Sequence, residues 1–185
     1  MLELAEVRLS MPKASAGHSF TISRGGVMDI SFAAGEEKFN YRVAAVILND
    51  GKLLAMRDED SPYYYLPGGR VKLGETAEQA VIREIQEELH VAAEIVRPLW
   101  LNQAFFNEDV DGLRYHELCV YFLLDVTNTL LLSCGDRFCL TEGERRNSFE
   151  WLGFERMKNE YFHPAFLKEA IFALPEAFTL RTEFE

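Results

Sequence analysis

Cysteine is scarce in this chain: Cys119, Cys134 and Cys139 are the whole complement, and no two of them form a CxxC pair. Three thiols cannot all pair within one chain. A disulfide framework is therefore not expected, and a reducing, cytoplasmic compartment is. Long apolar runs are missing as well. None approaches the roughly 18 residues of a membrane span, and Met1 to Phe20 lack the continuous apolar core of a secretory signal. No membrane partner is expected. Positive charge is also in short supply, with 19 Lys and Arg against 30 Asp and Glu, a formal net charge of -11. Duplex binding draws most of its affinity from basic side chains that neutralise phosphates. The basic pair Arg145-Arg146 is instead flanked by Glu142, Glu144 and Glu150. Nucleic acid is thus not an expected partner. An acidic protein can still take a small phosphorylated ligand, provided local arginines or a bound cation reverse the field.

What is present is a globular composition. The chain is 48% hydrophobic and 12% aromatic, which excludes a disordered acidic polymer. Its 185 residues suit one domain, or one domain with a short appendage. Residues 1–27 are small and polar with little periodicity and read as an N-terminal extension; the folded domain is expected over 28–185. Arg24-Gly25-Gly26, encodable by a purine-rich stretch like a bacterial ribosome-binding site, makes Met28 a candidate natural start.

From there the pattern alternates. Phe39 to Leu48 (FNYRVAAVIL) reads as a strand, Asn49-Asp50-Gly51 as a turn, and Lys52 to Arg57 as the return strand of a hairpin. Asp58 to Pro62 reads as a polar loop before the extended aromatic run Tyr63-Tyr64-Tyr65. Two strands are expected near Ile95–Phe106 and Tyr115–Val126, and shorter ones at Leu130–Leu132 and Phe149–Leu152, with Thr141 to Ser148 as a loop. His163-Pro164 is expected to open a second helix carrying Phe166, Leu167, Ala170, Ile171 and Leu174 on its apolar stripe. Mixed strands with two covering helices imply an α/β fold.

Thr76 to His90 is the clearest helix. Thr76 and Gln79 have the spacing of a capping box. At 100° per residue, Val81, Ile82, Ile85 and Leu89 share one arc, and Glu84, Glu87 and Glu88 the next. Three carboxylates at i, i+3 and i+4 repel one another, which raises the proton affinity of at least one unless a cation joins them. Carboxylate oxygens suit Mg²⁺, which keeps open positions for phosphate oxygens.

The stretch Gly69 to Val91 (GRVKLGETAEQAVIREIQEELHV) resembles the Nudix box, G-x5-E-x7-R-E-U-x-E-E-x-G-U, with U a bulky aliphatic. It departs at one defining position, where His90 stands in place of glycine. Leu66-Pro67-Gly68-Gly69 is similar to the entry of the family motif, and Phe149 to Leu152 to its late Trp-containing strand. The resemblance implies an α/β/α sandwich with a mixed central sheet. It implies hydrolysis of a pyrophosphate bond in a nucleoside diphosphate linked to a further group, with Mg²⁺ as cofactor and Mn²⁺ as a substitute. It makes Glu84, Glu87 and Glu88 metal ligands, joined by the backbone carbonyl of Gly69, with the general base open among the three. Arg83 and Glu75 would bridge loop and helix, with Gly68 in support. Arg57, Arg70 and Tyr65 are candidate substrate contacts, with Tyr63 and Tyr64 as further stacking candidates. Glu117, Glu142 and Glu144 are candidates for an acid recruited from outside the box. A homodimer is one assembly that relatives suggest. The alternative is a nucleotide-sensing module without turnover. Prenyl diphosphate isomerisation would want a reactive cysteine motif, which is not visible.

Overall fold

The structure is a computed structural model that describes residues 28–59, 61–108 and 111–184. The expected extension over 1–27 lies outside the described residues. Among the described residues, nine strands join in one mixed sheet around β2 (Glu37–Asn49). Its apolar run is continuous because both faces are covered. Val43, Ala45 and Ile47 enter one core, while Ala44 and Val46 enter the other. The Asp50-Gly51 turn has positive φ at both residues, 47° and 72°. That is the turn a two-residue hairpin prefers, and it returns the chain as β3 (Lys52–Arg57), pairing Asn49 with Lys52.

Short strands β1 (Ser31–Ala34) and β4 (Gly68–Arg70) both pair antiparallel with β2. β5 (Glu94–Asn107) and β6 (Arg114–Asp125) form the long antiparallel pair, and β6 runs parallel to β2 from Glu37–Arg114 to Ile47–Leu124. β7 (Arg137–Glu142) and β8 (Arg145–Gly153) extend the sheet beyond β3. β9 (Thr179–Phe184) runs parallel to β5 at the opposite end.

Helix α1 (Ala77–Leu89) covers one face with Ala80, Val81, Ile85 and Leu89. The expected capping box is formed: Gln79 N–H donates to Thr76 Oγ1 at 3.2 Å, and Thr76 N–H to Gln79 Oε1 at 2.9 Å. His90 ends the helix at φ 58°, ψ 29°. The histidine thus takes the left-handed exit that glycine would provide. Its Nε2 lies 3.1 Å from the Thr141 carbonyl oxygen, tying the helix end to β7. On the other face, Met157 of α2 (Phe154–Met157) and Leu167 of α3 (Leu167–Ala170) pack with Leu53, Leu99 and Leu152. The result is the α/β/α sandwich.

Three local expectations are corrected. Leu130–Ser133 is a 3-10 turn capped by Thr129, with one buried residue, Leu131, anchoring it in the core. Thr141 to Ser148 is mostly strand: the β7–β8 hairpin turns at Gly143-Glu144, and cross-strand pairing continues through Glu142–Arg145. The helix expected from His163 is reduced to α3. His163 N–H donates to the Tyr64 carbonyl at 2.8 Å, so the chain there pairs with the Tyr64 segment and turns only afterwards.

Candidate active site

A cavity of about 590 Å³ opens where β4, α1 and the β7–β8 hairpin meet the face of β2, β6 and β5. Helix α1 supplies its acid end. Glu84 and Glu88 are buried, at 9% and 5% exposure, although both are carboxylates. Arg83 explains how Glu84 is held, together with its neighbour Glu87. Its Nε donates to Glu75 Oε1 at 2.7 Å and its Nη2 to Glu75 Oε2 at 2.9 Å. Its Nη1 donates to Glu84 at 2.7 Å and Glu87 at 2.9 Å, and Nη2 also reaches the Arg70 carbonyl at 3.0 Å. One guanidinium therefore ties the loop before α1, strand β4 and two of the glutamates together. These bonds hold the Glu75 carboxyl below its usual range.

Gly69 permits the closest approach. A Cβ there would sit 2.4 Å from Glu84 Cδ and within 2.6 Å of both its oxygens. At Gly68, φ is 142° and a Cβ would meet the Val43 carbonyl oxygen at 2.3 Å. The Gly68 N–H donates to Glu88 Oε2 at 2.9 Å.

Oxygens of Glu84, Glu87 and Glu142 all come within 4.8 Å of one another. Glu142, weighed in the sequence as one of three outside acids, thus completes a trio that straddles α1 and β7. Glu88 lies beside this trio, engaged with Gly68. Glu144 sits in the hairpin turn and is not among the cavity residues. Glu117 lines the cavity from β6, where burial raises its carboxyl while Arg42 and Asn40 act to lower it. The cluster fits a hard divalent cation: it offers oxygens at close range, a glycine where a side chain would block the carboxylate, and a buried amide oxygen, Asn147 Oδ1, without a partner among the described residues of the same cavity.

The substrate-contact candidates divide. Arg70 and Tyr65 line the cavity, and the Tyr65 hydroxyl donates to Asp58 at 3.0 Å. Arg57 does not: its guanidinium lies over the Tyr64 ring at 4.6 Å, in a second depression. The alternation of Tyr63, Tyr64 and Tyr65 sends Tyr64 into the core and leaves its neighbours at the cavity. Sequence reasoning passed over Arg42, Lys38 and Asn102. The available signal was Arg42 itself, a charge inside the apolar run FNYRVAAVIL, which a central strand carries only with a partner. Its guanidinium stays charged despite burial because Glu117 faces it.

An α/β/α sandwich with carboxylates gathered beside a cavity is an arrangement that suits a divalent cation. The NUDIX domain model matches residues 38–171, and the chain belongs to the Nudix hydrolase family. ADP-ribose pyrophosphatase of Methanocaldococcus jannaschii is 33% identical over 119 residues, 63% of this chain and 68% of that protein. A MutT-like protein of Streptomyces ambofaciens is 44% identical over 50 residues, 27% of this chain and 32% of its own. Two further relatives are matched over 23% and 30% of their length. Among solved structures, UDP-X diphosphatase aligns with a TM-score of 0.50 at 18% identity, covering 72% of this chain and 59% of that one, and supports the fold. Among the described residues no helix is long and apolar enough to cross a membrane.

The acid end has a pH signature. Burial pushes Glu88 up to about 8, with Glu84 and Glu142 adding to the rise and the Gly68 N–H and Arg42 opposing it. Burial also raises Glu84, against Arg83. Acids raised on folding favour the folded state at low pH, and that contribution is lost as pH climbs from the ordinary value of 4.5 through about 8. A cation binds the ionised form and reverses the loss. The rise in Tm on adding Mg²⁺ is expected to be larger at about pH 8.5 than at about pH 6, with affinity differing by about tenfold or more. Thermal melts at both pH values check this; an equal or smaller shift at the higher pH contradicts it.

Proposed function

We propose that this protein hydrolyses the pyrophosphate bond of a small nucleoside diphosphate derivative, a nucleoside diphosphate joined to a further group, with Mg²⁺ as cofactor and Mn²⁺ as a substitute. The observation that carries this reading is the carboxylate trio Glu84, Glu87 and Glu142, of which Glu84 and Glu142 line a cavity whose remaining walls bear Arg42, Arg145 and Tyr65. The relative named for ADP-ribose supports it.

Glu84, Glu87 and Glu142 would hold the cation, with the Gly69 carbonyl beside them. Bound there, the ion would supply charge neutralisation at phosphorus and a lowered pKa for a bound water. Arg83 keeps the carboxylates in place through Glu75 and is a positioning residue. Glu88, outside the trio and with its proton affinity raised to about 8, suits the removal of a proton from the attacking water. Arg42, Arg70 and Arg145 offer positive charge for phosphate oxygens that the net charge of -11 would otherwise repel. Tyr65 and Tyr63 provide aromatic surface for a base.

The test is product analysis with ADP-ribose, nucleotide sugars, nucleoside triphosphates and dinucleoside polyphosphates, in Mg²⁺ or Mn²⁺. Two phosphorylated products from one cleavage, suppressed by excess chelator, are expected from ADP-ribose or a nucleotide sugar. Tight binding with no product over hours would instead establish the sensing alternative. Undiminished cleavage in chelator would remove the cation from the mechanism.

A further inference from the structure

Far along the sheet from the carboxylate trio, the floor of the same cavity has a notch. Ala104 lies in register with Glu117 of β6 on one side and Glu183 of β9 on the other. Its small side chain leaves space between larger neighbours at alternate positions on the same face, Asn102 before it and Phe106 after it, and all three line the cavity. Asn102 is 1% exposed. Its Nδ2 donates to Glu183 Oε2 at 2.9 Å, and the other Glu183 oxygen accepts the Phe166 N–H at 3.2 Å. A carboxylate only accepts, so this bond fixes which end of the amide is oxygen. That oxygen, Asn102 Oδ1, has no partner among the described residues. Glu117, the neighbouring acceptor, faces Arg42 and Asn40. A buried acceptor left unpaired is costly unless something arrives to donate to it.

We propose that the Ala104 notch is a specificity site, in which Asn102 Oδ1 accepts a hydrogen bond from an N–H or O–H on the non-phosphate part of the substrate. The donor belongs either to the base edge or to the hydroxyl-bearing group beyond the diphosphate. The notch rejects phosphate, since Glu117 and Glu183 flank it with acceptors. Strand β9 is part of this device, because Glu183 sets the orientation of Asn102. The proposal rests on the pyrophosphatase reading only for where the diphosphate lies.

The experiment measures binding of ADP-ribose, IDP-ribose and ADP by calorimetry in Mg²⁺, and separately kcat and KM for any probe cleaved. Asn102→Ala removes the acceptor, and Ala104→Leu fills the notch while leaving Asn102 and the carboxylates untouched. Both variants are expected to weaken ADP-ribose binding, or raise its KM, by about tenfold or more with kcat nearly unchanged. The Mg²⁺-induced Tm shift stays as in the wild type. If the base occupies the notch, IDP-ribose, with an oxo in place of the amino group, binds the wild type about as weakly as ADP-ribose binds the variants. If the terminal group occupies it, ADP does so instead. Ala104→Leu that remains folded and binds all three probes like the wild type overturns the proposal, and so does a wild type that binds none of them. A wild type that binds ADP-ribose through Asn102 yet releases no product would leave the notch standing and defeat the hydrolase reading alone.

Discussion

Glu84→Gln is expected to lower kcat by about a thousandfold while leaving the chain folded. The substitution keeps the shape of a buried side chain and removes its charge. Glu84 holds one corner of the trio with Glu87 and Glu142, and its carboxylate passes directly over Gly69. A cation that neutralises charge at phosphorus is worth several kcal/mol at the transition state. Losing about 4 kcal/mol of that corresponds to roughly a thousandfold in rate. Folding is spared because burial already raises the Glu84 carboxyl, so the neutral amide replaces a charge that the interior resists. The gain shows as a metal-free Tm no lower than wild type, together with a smaller Tm rise in Mg²⁺. Steady-state kinetics across a range of Mg²⁺ and melts with and without the ion make the test. Full activity in Glu84→Gln would take the trio out of the chemistry.

Arg83→Ala is expected to be the most destabilising single change at the site, lowering Tm by about 10 °C. The side chain is only 20% exposed and Glu75 and Glu84 only 14% and 12%. Truncation leaves these two carboxylates without their shared cation, and the Arg70 carbonyl without its donor. Breaking a largely buried ion pair costs about 3–5 kcal/mol, and here the partial exposure reduces it to about 3 kcal/mol. In a domain of this size each kcal/mol moves Tm by about 2–4 °C. Mg²⁺ should restore part of the loss, because it returns positive charge to Glu84 and Glu87. Arg83→Lys should recover less than half of it, since one ammonium cannot serve Glu75 through two parallel bonds and reach Glu84, Glu87 and the Arg70 carbonyl as well. Calorimetric melts of both variants with and without Mg²⁺ check the ordering. A wild-type Tm in Arg83→Ala would mean that the guanidinium braces nothing.

The box region was the most legible part of the chain because its determinants are local. Thr76 and Gln79 cap α1 within four residues, and helical spacing alone puts Glu84, Glu87 and Glu88 on adjoining arcs. The Asn49-Asp50-Gly51 turn was readable for the same reason. His90 was an open question that the left-handed helix exit answers, with the Thr141 carbonyl held by its ring. Leu130–Ser133 and the segment after His163 were misread because apolar residues there anchor turns against a core whose shape is set elsewhere.

From its residues alone, then, the chain determined a capped helix carrying three acids, the glycines before it, a buried central strand and the family to which these belong. Tertiary structure decided which acid joins them, and why Arg57 stands in a different depression from Arg42. Glu142 lies more than fifty residues from Glu84 in sequence and meets it only because β7 pairs onto β8 and β8 onto β3. Asn102 and Glu183 meet only because β9 lies parallel to β5. Periodicity reports which way a side chain points relative to its own backbone, whereas a site assembled across strands depends on sheet order and register. Those are settled by long-range pairing that leaves no local mark.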